Sequence, residues 1–308
     1  MNQRLRYAGI LTFFLIVVLG VGFFVRETFF QKTEADSLSF DEQEATIRAI
    51  KQVSPAVVSI NVFDIKETQI EHEDGSKTSK REKVAAGSGS GFLISSTGLI
   101  ITNRHIVSGV SRDKGEFKII LNSGQQHYAQ LIGIDPLHDL ALLKIFDVNL
   151  PFVSLGDSSK LTVGTTVIAI GNSLGRYSNS ATKGIISGLY RNIEASGNNG
   201  TTEDLRNVLQ TDAEINLGNS GGPLIDLNGN VVAVNVAKDF GGTSVGFSIP
   251  INEVKPIIAS ARSNGRIIRA RLGVRFLMIT PEVAEARKTS RTTGALIIFS
   301  NKGEAAIT

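Results

Sequence analysis

Short β-rich runs separated by turn residues predict a mainly β fold, a sandwich or a barrel, for residues 56–247. Several runs are rich in β-branched residues, and Gly, Asn, Asp or Ser recurs between them at intervals of roughly 10–20 residues. Few long helical periods interrupt this pattern. The runs that predict strands are VVSINVF (57–63), SGFLIS (90–95), GLIIT (98–102), FKIIL (117–121), TVIAIG (166–171), GIISGLY (184–190), VVAVNV (231–236) and SVGFSI (244–249).

The composition sets limits on what the chain can be. Its 308 residues are 42% hydrophobic and 20% charged, which permits a sizeable core and excludes global disorder. The net charge is only +3, so we expect no nucleic-acid partner. Cysteine is absent, which excludes disulfides, thiolate metal sites and a cysteine nucleophile. We expect no cofactor and no metal, and histidine chemistry has four candidates: His72, His105, His127 and His138.

The N-terminus predicts a membrane anchor. Residues 8–25 carry no charge and would form a helix of about 27 Å, close to the thickness of the hydrocarbon core. Arg4 and Arg6 precede the segment, which places the N-terminus in the cytoplasm and the rest of the chain beyond the membrane. A cleavable signal peptide and a buried helix are the alternatives, but residues 25–30 offer no small-x-small cleavage site. We expect a tail and anchor over 1–30.

The regions that flank the β-rich runs are polar or helical in character. Residues 31–52 predict a stalk that ends in a short helix at 42–51. The polar, mixed-sign stretch Asp64–Lys83 predicts a mobile surface loop. Residues 252–265 predict a helix with Asn252 as its N-cap and Gly265 as its C-cap.

One serine stands in a setting suited to nucleophilic catalysis. The run Gly218–Pro223 (GNSGGP) surrounds Ser220 with glycines, which allow backbone N–H groups to converge on one point, as an oxyanion hole requires. Gly218–Gly222 and Gly171–Gly175 also match the G-x-S-x-G nucleophile elbow. The elbow fold needs a histidine after the serine, and this chain has none after His138. The remaining order, His…Asp…Ser, is that of the chymotrypsin class.

Three motifs in this order resemble the HtrA/Deg family of trypsin-like serine proteases. They are T-N-x-H-[VI]-[VI] at Thr102–Val107, D-L-A-[VL]-[LI]-K at Asp139–Lys144, and Q-T-D-A-x-I-N-x-G-N-S-G-G-P-L at Gln210–Leu224. The resemblance covers roughly residues 45–300. It implies a protease domain at 53–265 with two six-stranded antiparallel barrels, about 53–148 and 149–250, followed by a linking helix at 252–265.

The triad chemistry assigns a role to each motif residue. Ser220 Oγ would attack the scissile carbonyl, and His105 would take its proton and return it to the leaving amine. Asp139 would accept a hydrogen bond from the other imidazole nitrogen and stabilise the imidazolium. The backbone N–H groups of Gly218, Asn219 and Ser220 are the predicted oxyanion donors.

Neighbouring residues that compete for these roles receive other interpretations. Asp135 competes with Asp139, but only Asp139 directly precedes an apolar run that matches the family. His138 is expected to be a surface histidine, and Ser173 with its glycines a loop that lines the active site. The glycine run Gly87–Gly91 is not a phosphate loop, and its expected role is close packing against another backbone.

The C-terminal segment resembles the opening of the PDZ domain of this family. Arg271–Val274, followed by Thr280–Glu285 and Gly294–Ile297, carries the resemblance, and Leu272–Val274 would match the carboxylate-binding loop. Residues 270–308 are too few for a domain of normal size, so an incomplete PDZ domain is expected. The chain either ends inside a longer domain or carries a remnant of one. The arginines of 262–291 are expected to form a solvated surface.

The resemblance implies a membrane-anchored, ATP-independent serine endopeptidase. It is expected to be a homotrimer in the cytoplasmic (inner) membrane, held by residues 8–25, with its catalytic domain periplasmic or extracytoplasmic. Its expected substrates are unfolded or misfolded exported proteins, or a membrane stress-signalling protein. Two alternatives belong to other classes: a chaperone that uses the protease fold with little turnover, and a peptide-sensing adaptor that acts through the PDZ element.

Overall fold

The structure of the protein is a computed structural model. It describes residues 17–23, 41–71, 77–110, 115–135, 137–173, 177–196, 202–216, 218–236, 245–269, 274–291 and 293–300. Within these ranges the chain is mainly β, as the sequence predicts, and each of the eight predicted runs contributes to a strand.

In the part of the chain that the structure describes, thirteen strands form the two main sheets and two more lie near the C-terminus. The strands are β1 Val57–Glu71, β2 Lys77–Leu93, β3 Leu99–Thr102, β4 Gly115–Ile120, β5 Gln126–Ile134, β6 Ala141–Lys144, β7 Ser154–Leu155, β8 Thr166–Ser173, β9 Tyr177–Ser196, β10 Thr202–Thr211, β11 Pro223–Ile225, β12 Asn230–Val236, β13 Gly246–Pro250, β14 Val274–Met278 and β15 Ala295–Ser300. Besides the helical residues 17–23, the helices are α1 (41–53), α2 Arg104–Val107, α3 Ile251–Asn264 and α4 Pro281–Ala286, with 3₁₀ turns at Ser54–Ala56 and Ser158–Lys160.

The first six strands close into a barrel. Its order is β1-β2-β3-β6-β5-β4, and every neighbouring pair is antiparallel. Large apolar side chains on both faces of its strands, such as Phe92, Ile100 and Leu143, are completely buried. Burial of side chains of this size typically contributes about 1.5–3 kcal/mol each, so the barrel is held by packing in a chain that has no disulfide.

The next seven strands form a second, barrel-like sheet in the order β11-β8-β9-β10-β13-β12-β7. An additional pairing of β11 with β12 closes six of these strands into a ring. The seventh, β7, has only two residues and pairs with β12 in parallel, which departs from the purely antiparallel expectation. The two sheets together are the mainly β, chymotrypsin-like arrangement.

The prediction of a mobile surface loop at Asp64–Lys83 is wrong. Strands β1 and β2 continue as a regular antiparallel ladder from Phe63↔Ala85 out to Glu71↔Lys77. Only residues 72–76 of the stretch lie outside the described residues. The side chains on this ribbon are mostly exposed, so its polar composition reflects a two-stranded hairpin with water on both faces and not an irregular backbone.

Helix α3 follows the second barrel where the sequence predicts a helix, but its N-terminus differs. The N-cap is Pro250, not Asn252, and Gly265 ends the helix in the left-handed conformation with φ 68°. Asn252 lies inside the first turn, where its Nδ2 donates to Asp157 Oδ1 at 2.8 Å. An apolar face of residues at helical spacing packs into the core: Ile251, Val254, Ile257, Ile258 and Ala261.

The N-terminal helix α1 confirms the predicted short helix at 42–51 and extends it slightly at both ends. Ala49 and Val53 are buried, and Glu42 pairs with Lys183 of β9 at 2.8 Å. Residues 17–23 are helical, and the rest of the predicted anchor at 8–25 lies outside the described residues. Among the residues that the structure describes, no helix combines the length and apolar character needed to cross a bilayer.

The C-terminal residues form a small separate sheet. Strands β14 and β15 pair antiparallel, and α4 lies between them along the chain. Thr280 caps α4, with its side chain accepting from Val283 N. Residues 271–273, which would contain most of the predicted carboxylate-binding loop, lie outside the described residues, so the PDZ assignment stays a prediction.

Candidate active site

Both barrels contribute to one constellation of polar residues. His105 lies in the short helix α2, directly after β3, and Asp139 lies just before β6, so the first barrel carries both. Ser220 lies in the turn before β11 of the second barrel. Because β3 and β6 are paired neighbours, residues at the end of one and the start of the other are brought together.

The three side chains form a continuous hydrogen-bonded chain. His105 Nδ1 is 2.6 Å from Asp139 Oδ2, and Ser220 Oγ is 3.0 Å from His105 Nε2. The backbone N–H of His105 also donates to Asp139 Oδ1 at 2.9 Å, so the carboxylate fixes both the ring and its backbone. Asp139 is completely buried, while the His105 side chain is 28% exposed. The charge is therefore shielded from water, and the base is open to the cleft.

A fourth residue, Asn103, completes the constellation. Its Oδ1 accepts from Ser220 Oγ at 2.9 Å, and its Nδ2 donates to the backbone carbonyl of Asp139 at 2.9 Å. Asn103 is completely buried between β3 and α2. The nucleophile candidate is therefore linked to the aspartate by two routes, one through an imidazole and one through an amide.

The turn that carries Ser220 is closed on itself by Asn216. The N–H of Gly218 donates to Asn216 Oδ1 at 2.9 Å, and those of Asn219 and Ser220 donate to Asn216 O at 3.1 and 3.2 Å. The three predicted oxyanion donors therefore have intramolecular acceptors in this conformation. The turn has to open before these groups can face a ligand.

Close backbone packing holds this turn in place. A Cβ atom at Gly171 would lie 2.5 Å from Asn219 Cα, and one at Gly87 would lie 2.5 Å from Ile106 O. The expected close approach of the Gly87–Gly91 run to another backbone is confirmed, since β2 passes directly over α2. Gly221 has φ +79°, a conformation that L side chains rarely adopt.

Ser90 joins the two barrels next to this turn. Its Oγ donates to Gly218 O at 2.8 Å and accepts from Asn172 N at 2.7 Å, while its backbone N–H donates to Ser220 O at 2.9 Å. Its own carbonyl accepts from Thr102 Oγ1 at 2.7 Å. One buried serine of β2 thus fixes both flanks of the Ser220 turn.

Comparison with known proteins now identifies the family. Residues 89–234 match the family described as trypsin-like peptidase domain. The serine protease Do-like HtrA of Lactococcus lactis subsp. cremoris is 33% identical over 290 residues, which cover 87% of this chain and 70% of that protein. The chain belongs to the HtrA/Deg family of serine proteases. The resemblance seen in the three sequence motifs is thereby confirmed.

Other HtrA/Deg proteins are similar over a smaller share of their length. A probable periplasmic serine endoprotease, DegP-like, of Rickettsia prowazekii is 42% identical over 213 residues, or 68% of this chain. The chain spans only 40% of that relative's length. A solved structure of the HtrA-type protease AlgW with a decapeptide matches with a TM-score of 0.64 and 32% identity, covering 83% of this chain and 79% of that one.

In this HtrA/Deg chain, two neighbours of the site differ from expectation. The prediction of a surface position for His138 is wrong, because its side chain is only 15% exposed and its Nδ1 is 2.8 Å from Asp135 Oδ2. Ser173 was expected to lie in a loop. It instead ends strand β8 and pairs with Tyr177 of β9. Of the other candidates, His127 lies on β5 and His72 lies outside the described residues.

Asp135 belongs to a second, buried ion-pair cluster. Arg269 binds it through two hydrogen bonds, Nε to Oδ1 at 2.9 Å and Nη2 to Oδ2 at 2.7 Å. Burial raises the pKa of this completely enclosed carboxyl, but the hydrogen bonds from His138 and Arg269 outweigh burial and lower the pKa to about 2. Arg269 is 19% exposed, so the expectation of a solvated surface fails for this arginine.

Sequence reasoning missed the roles of Asn103, Ser90 and Arg269. Asn103 is part of the T-N-x-H motif, but an isolated asparagine gives no sign of which group it will bind. Ser90 lies in the run Gly87–Gly91, where only the glycines form a recognisable pattern. Arg269 is 134 residues from Asp135 along the chain, and no local pattern predicts a pairing over that distance.

Proposed function

We propose that this chain is a membrane-anchored, ATP-independent serine endopeptidase with its catalytic domain periplasmic or extracytoplasmic. The observation that carries the enzymatic part of the proposal is the continuous Ser220–His105–Asp139 chain, with bonds of 3.0 and 2.6 Å, at the junction of the two barrels. This is the geometry by which serine-protease triads are recognised.

The side chains support acyl transfer in the following way. Asp139 Oδ2 accepts a hydrogen bond from Nδ1–H of His105, which leaves His105 Nε2 as the atom that can accept a proton. As Ser220 Oγ bonds to the substrate carbonyl carbon, its proton passes to His105 Nε2, and His105 then delivers it to the leaving amine. Water repeats the sequence on the acyl-enzyme, and the proton it loses to His105 returns to Ser220 Oγ.

The proposed oxyanion donors are the N–H groups of Gly218, Asn219 and Ser220. Each of them now donates to Asn216, so turnover requires the turn to release them. A preorganised donor of this kind typically contributes about 3–4 kcal/mol to transition-state stabilisation. Opening of the turn is therefore a step that limits activity in this proposal.

The substrates, the oligomeric state and the membrane anchor are proposed from the relatives and the sequence, and not from the triad. We propose unfolded or misfolded exported proteins, or a membrane stress-signalling protein, as substrates, since the Rickettsia relative is named a periplasmic endoprotease and AlgW was solved with a peptide. The proposal includes a homotrimer, an anchor at residues 8–25 in the inner membrane, and a PDZ-like segment at 270–308. Size measurement by light scattering and membrane fractionation test the first two.

A proteolysis assay tests the enzymatic proposal. The purified full chain should degrade casein, and Ser220→Ala should abolish the activity. Ser173→Ala is the matched control, because Ser173 lies in the second G-x-S-x-G match and should retain activity. Casein cleavage that survives Ser220→Ala would refute the assignment.

A chaperone with little turnover is the second candidate. It is favoured by one observation, the engagement of all three oxyanion donors with Asn216. A fluorophosphonate probe distinguishes the two, because it modifies only an activated serine. Labelling of Ser220 in the presence of unfolded protein supports the protease, and failure to label supports the chaperone.

A further inference from the structure

The hydroxyl of Ser220 lies within hydrogen-bond distance of two acceptors. Asn103 Oδ1 is 2.9 Å from Ser220 Oγ, and His105 Nε2 is 3.0 Å from it. A serine hydroxyl carries a single proton and can donate it to one acceptor at a time. The two acceptors therefore compete for the proton that the triad mechanism assigns to His105 alone.

Both acceptors are oriented by their other hydrogen bonds. His105 Nδ1 faces the Asp139 carboxylate at 2.6 Å and must donate to it, so Nε2 is left as the acceptor. Asn103 Nδ2 faces the carbonyl oxygen of Asp139 at 2.9 Å, and only the amide NH₂ can donate there. This fixes the amide orientation and requires Oδ1 to face Ser220.

The Asn103 side chain does not cap α2, although its position is the usual one for a capping asparagine. It is the N-cap residue of α2, a position where an asparagine side chain usually accepts a backbone N–H of the first turn. Here the side chain makes no capping hydrogen bond. Its completely buried amide instead contacts two residues of the proposed triad.

We propose that Asn103 is a positioning residue that shares the Ser220 proton with His105 in the resting enzyme and thereby restrains acylation. The inference rests on the proposed serine-endopeptidase function. Acylation forms the Oγ–carbonyl carbon bond and sends the Oγ proton to His105 Nε2, so the hydrogen bond to Asn103 must break first. Once Oγ is esterified it has no proton, and Asn103 no longer acts on the step that releases the acyl group.

This asymmetry between the two half-reactions gives a specific expectation. Loss of the competing acceptor should accelerate acylation by a factor of about two to ten, the net effect of one neutral hydrogen bond. Deacylation should be unchanged, because the acyl-enzyme never contains the hydrogen bond. A residue that merely supports His105 or Asp139 would alter both steps, since both use the same base.

Burst kinetics on the full chain test the inference. A p-nitrophenyl ester substrate reports acylation in the burst phase and deacylation in the steady state. Asn103→Ala removes the acceptor, and Asn103→Leu removes it while nearly preserving the volume of the side chain. Both variants also remove the amide donor to Asp139 O, and any effect of that loss on the base slows both steps together, so the ratio of the burst rate to the steady-state rate should rise about two- to tenfold. Asn228→Ala, an exposed asparagine in the turn between β11 and β12, is the matched control.

The outcomes separate the inference from the function on which it rests. A wild-type chain without a burst and without fluorophosphonate labelling would refute the proposed function. A normal wild-type burst, with a ratio of burst rate to steady-state rate that is unchanged or lower in both Asn103 variants, would overturn the inference alone. If neither variant folds, a neutron structure of the unaltered chain decides: hydrogen density on Ser220 Oγ directed toward Asn103 supports the inference, and density directed only toward His105 overturns it.

Discussion

The buried pair of Asp135 and Arg269 allows a quantitative stability prediction. Asp135 is completely buried, and Arg269 binds both of its carboxylate oxygens at 2.9 and 2.7 Å. The change Arg269→Met keeps most of the side-chain volume but removes the charge and both donors. Loss of one partner of a buried pair typically costs 3–5 kcal/mol. Because His138 remains hydrogen bonded to Asp135, we expect a loss of about 3 kcal/mol in the free energy of unfolding at pH 7.

The stability lost on Arg269→Met should decrease as the pH falls. The folded pKa of Asp135 is lowered from 3.8 to about 2, so ionised Asp135 stabilises the fold above pH 3.8, and this stabilisation is lost as the pH falls toward 2. This difference in pKa between the unfolded and folded states contributes about 2 kcal/mol to the free energy of unfolding at neutral pH. Roughly half of that contribution remains at pH 3. The cost of Arg269→Met should therefore be smaller at pH 3 than at pH 7.

Urea denaturation at both pH values measures this, with Arg81→Met as the control. Arg81 faces Glu67 at 3.7 Å in an exposed pair, and such pairs contribute about 0–1 kcal/mol. If Arg269→Met costs no more than the control, or costs the same amount at pH 7 and pH 3, the assignment of a stabilising buried pair is refuted.

Three further predictions concern the site. Asp139→Asn should lower kcat by about four orders of magnitude in the casein assay while the chain stays folded, because the amide stabilises the wrong imidazole tautomer; activity within tenfold of wild type would contradict this. Gly171→Ala should lower kcat/KM at least tenfold with little change in the circular dichroism spectrum, because its Cβ would collide with Asn219 at 2.5 Å; unchanged kinetics would show that the turn can yield. Ser90→Ala should destabilise the chain by about 1–3 kcal/mol in urea and slow fluorophosphonate labelling, because Gly218 O and Asn172 N lose their partner; a wild-type midpoint would argue against this role.

Elements whose pattern lies within a few consecutive residues could be predicted from the sequence, and elements that depend on distant residues could not. Strand positions were predictable because β-branched, turn-bounded runs carry their information locally, as in VVAVNV at 231–236, which lies in β12. The strands over 64–83 could not be predicted, because the hairpin is solvated on both faces and its two isoleucines, Ile65 and Ile70, do not alternate regularly with polar residues. The predicted N-cap of α3, Asn252, was wrong because its side chain binds Asp157, which is distant in sequence, and the helix begins after Pro250.

The sequence by itself determined the chemistry of the site: which serine, histidine and aspartate stand in family motifs, in what order, and with no cysteine to replace them. Only the tertiary structure decided how these groups are constrained. Asn103 contacts Ser220 across 117 residues and Arg269 contacts Asp135 across 134, and the Ser220 turn is closed on Asn216. Hydrogen bonds depend on distance and direction in space, and the folding of two barrels against each other sets these for residues that share no local pattern.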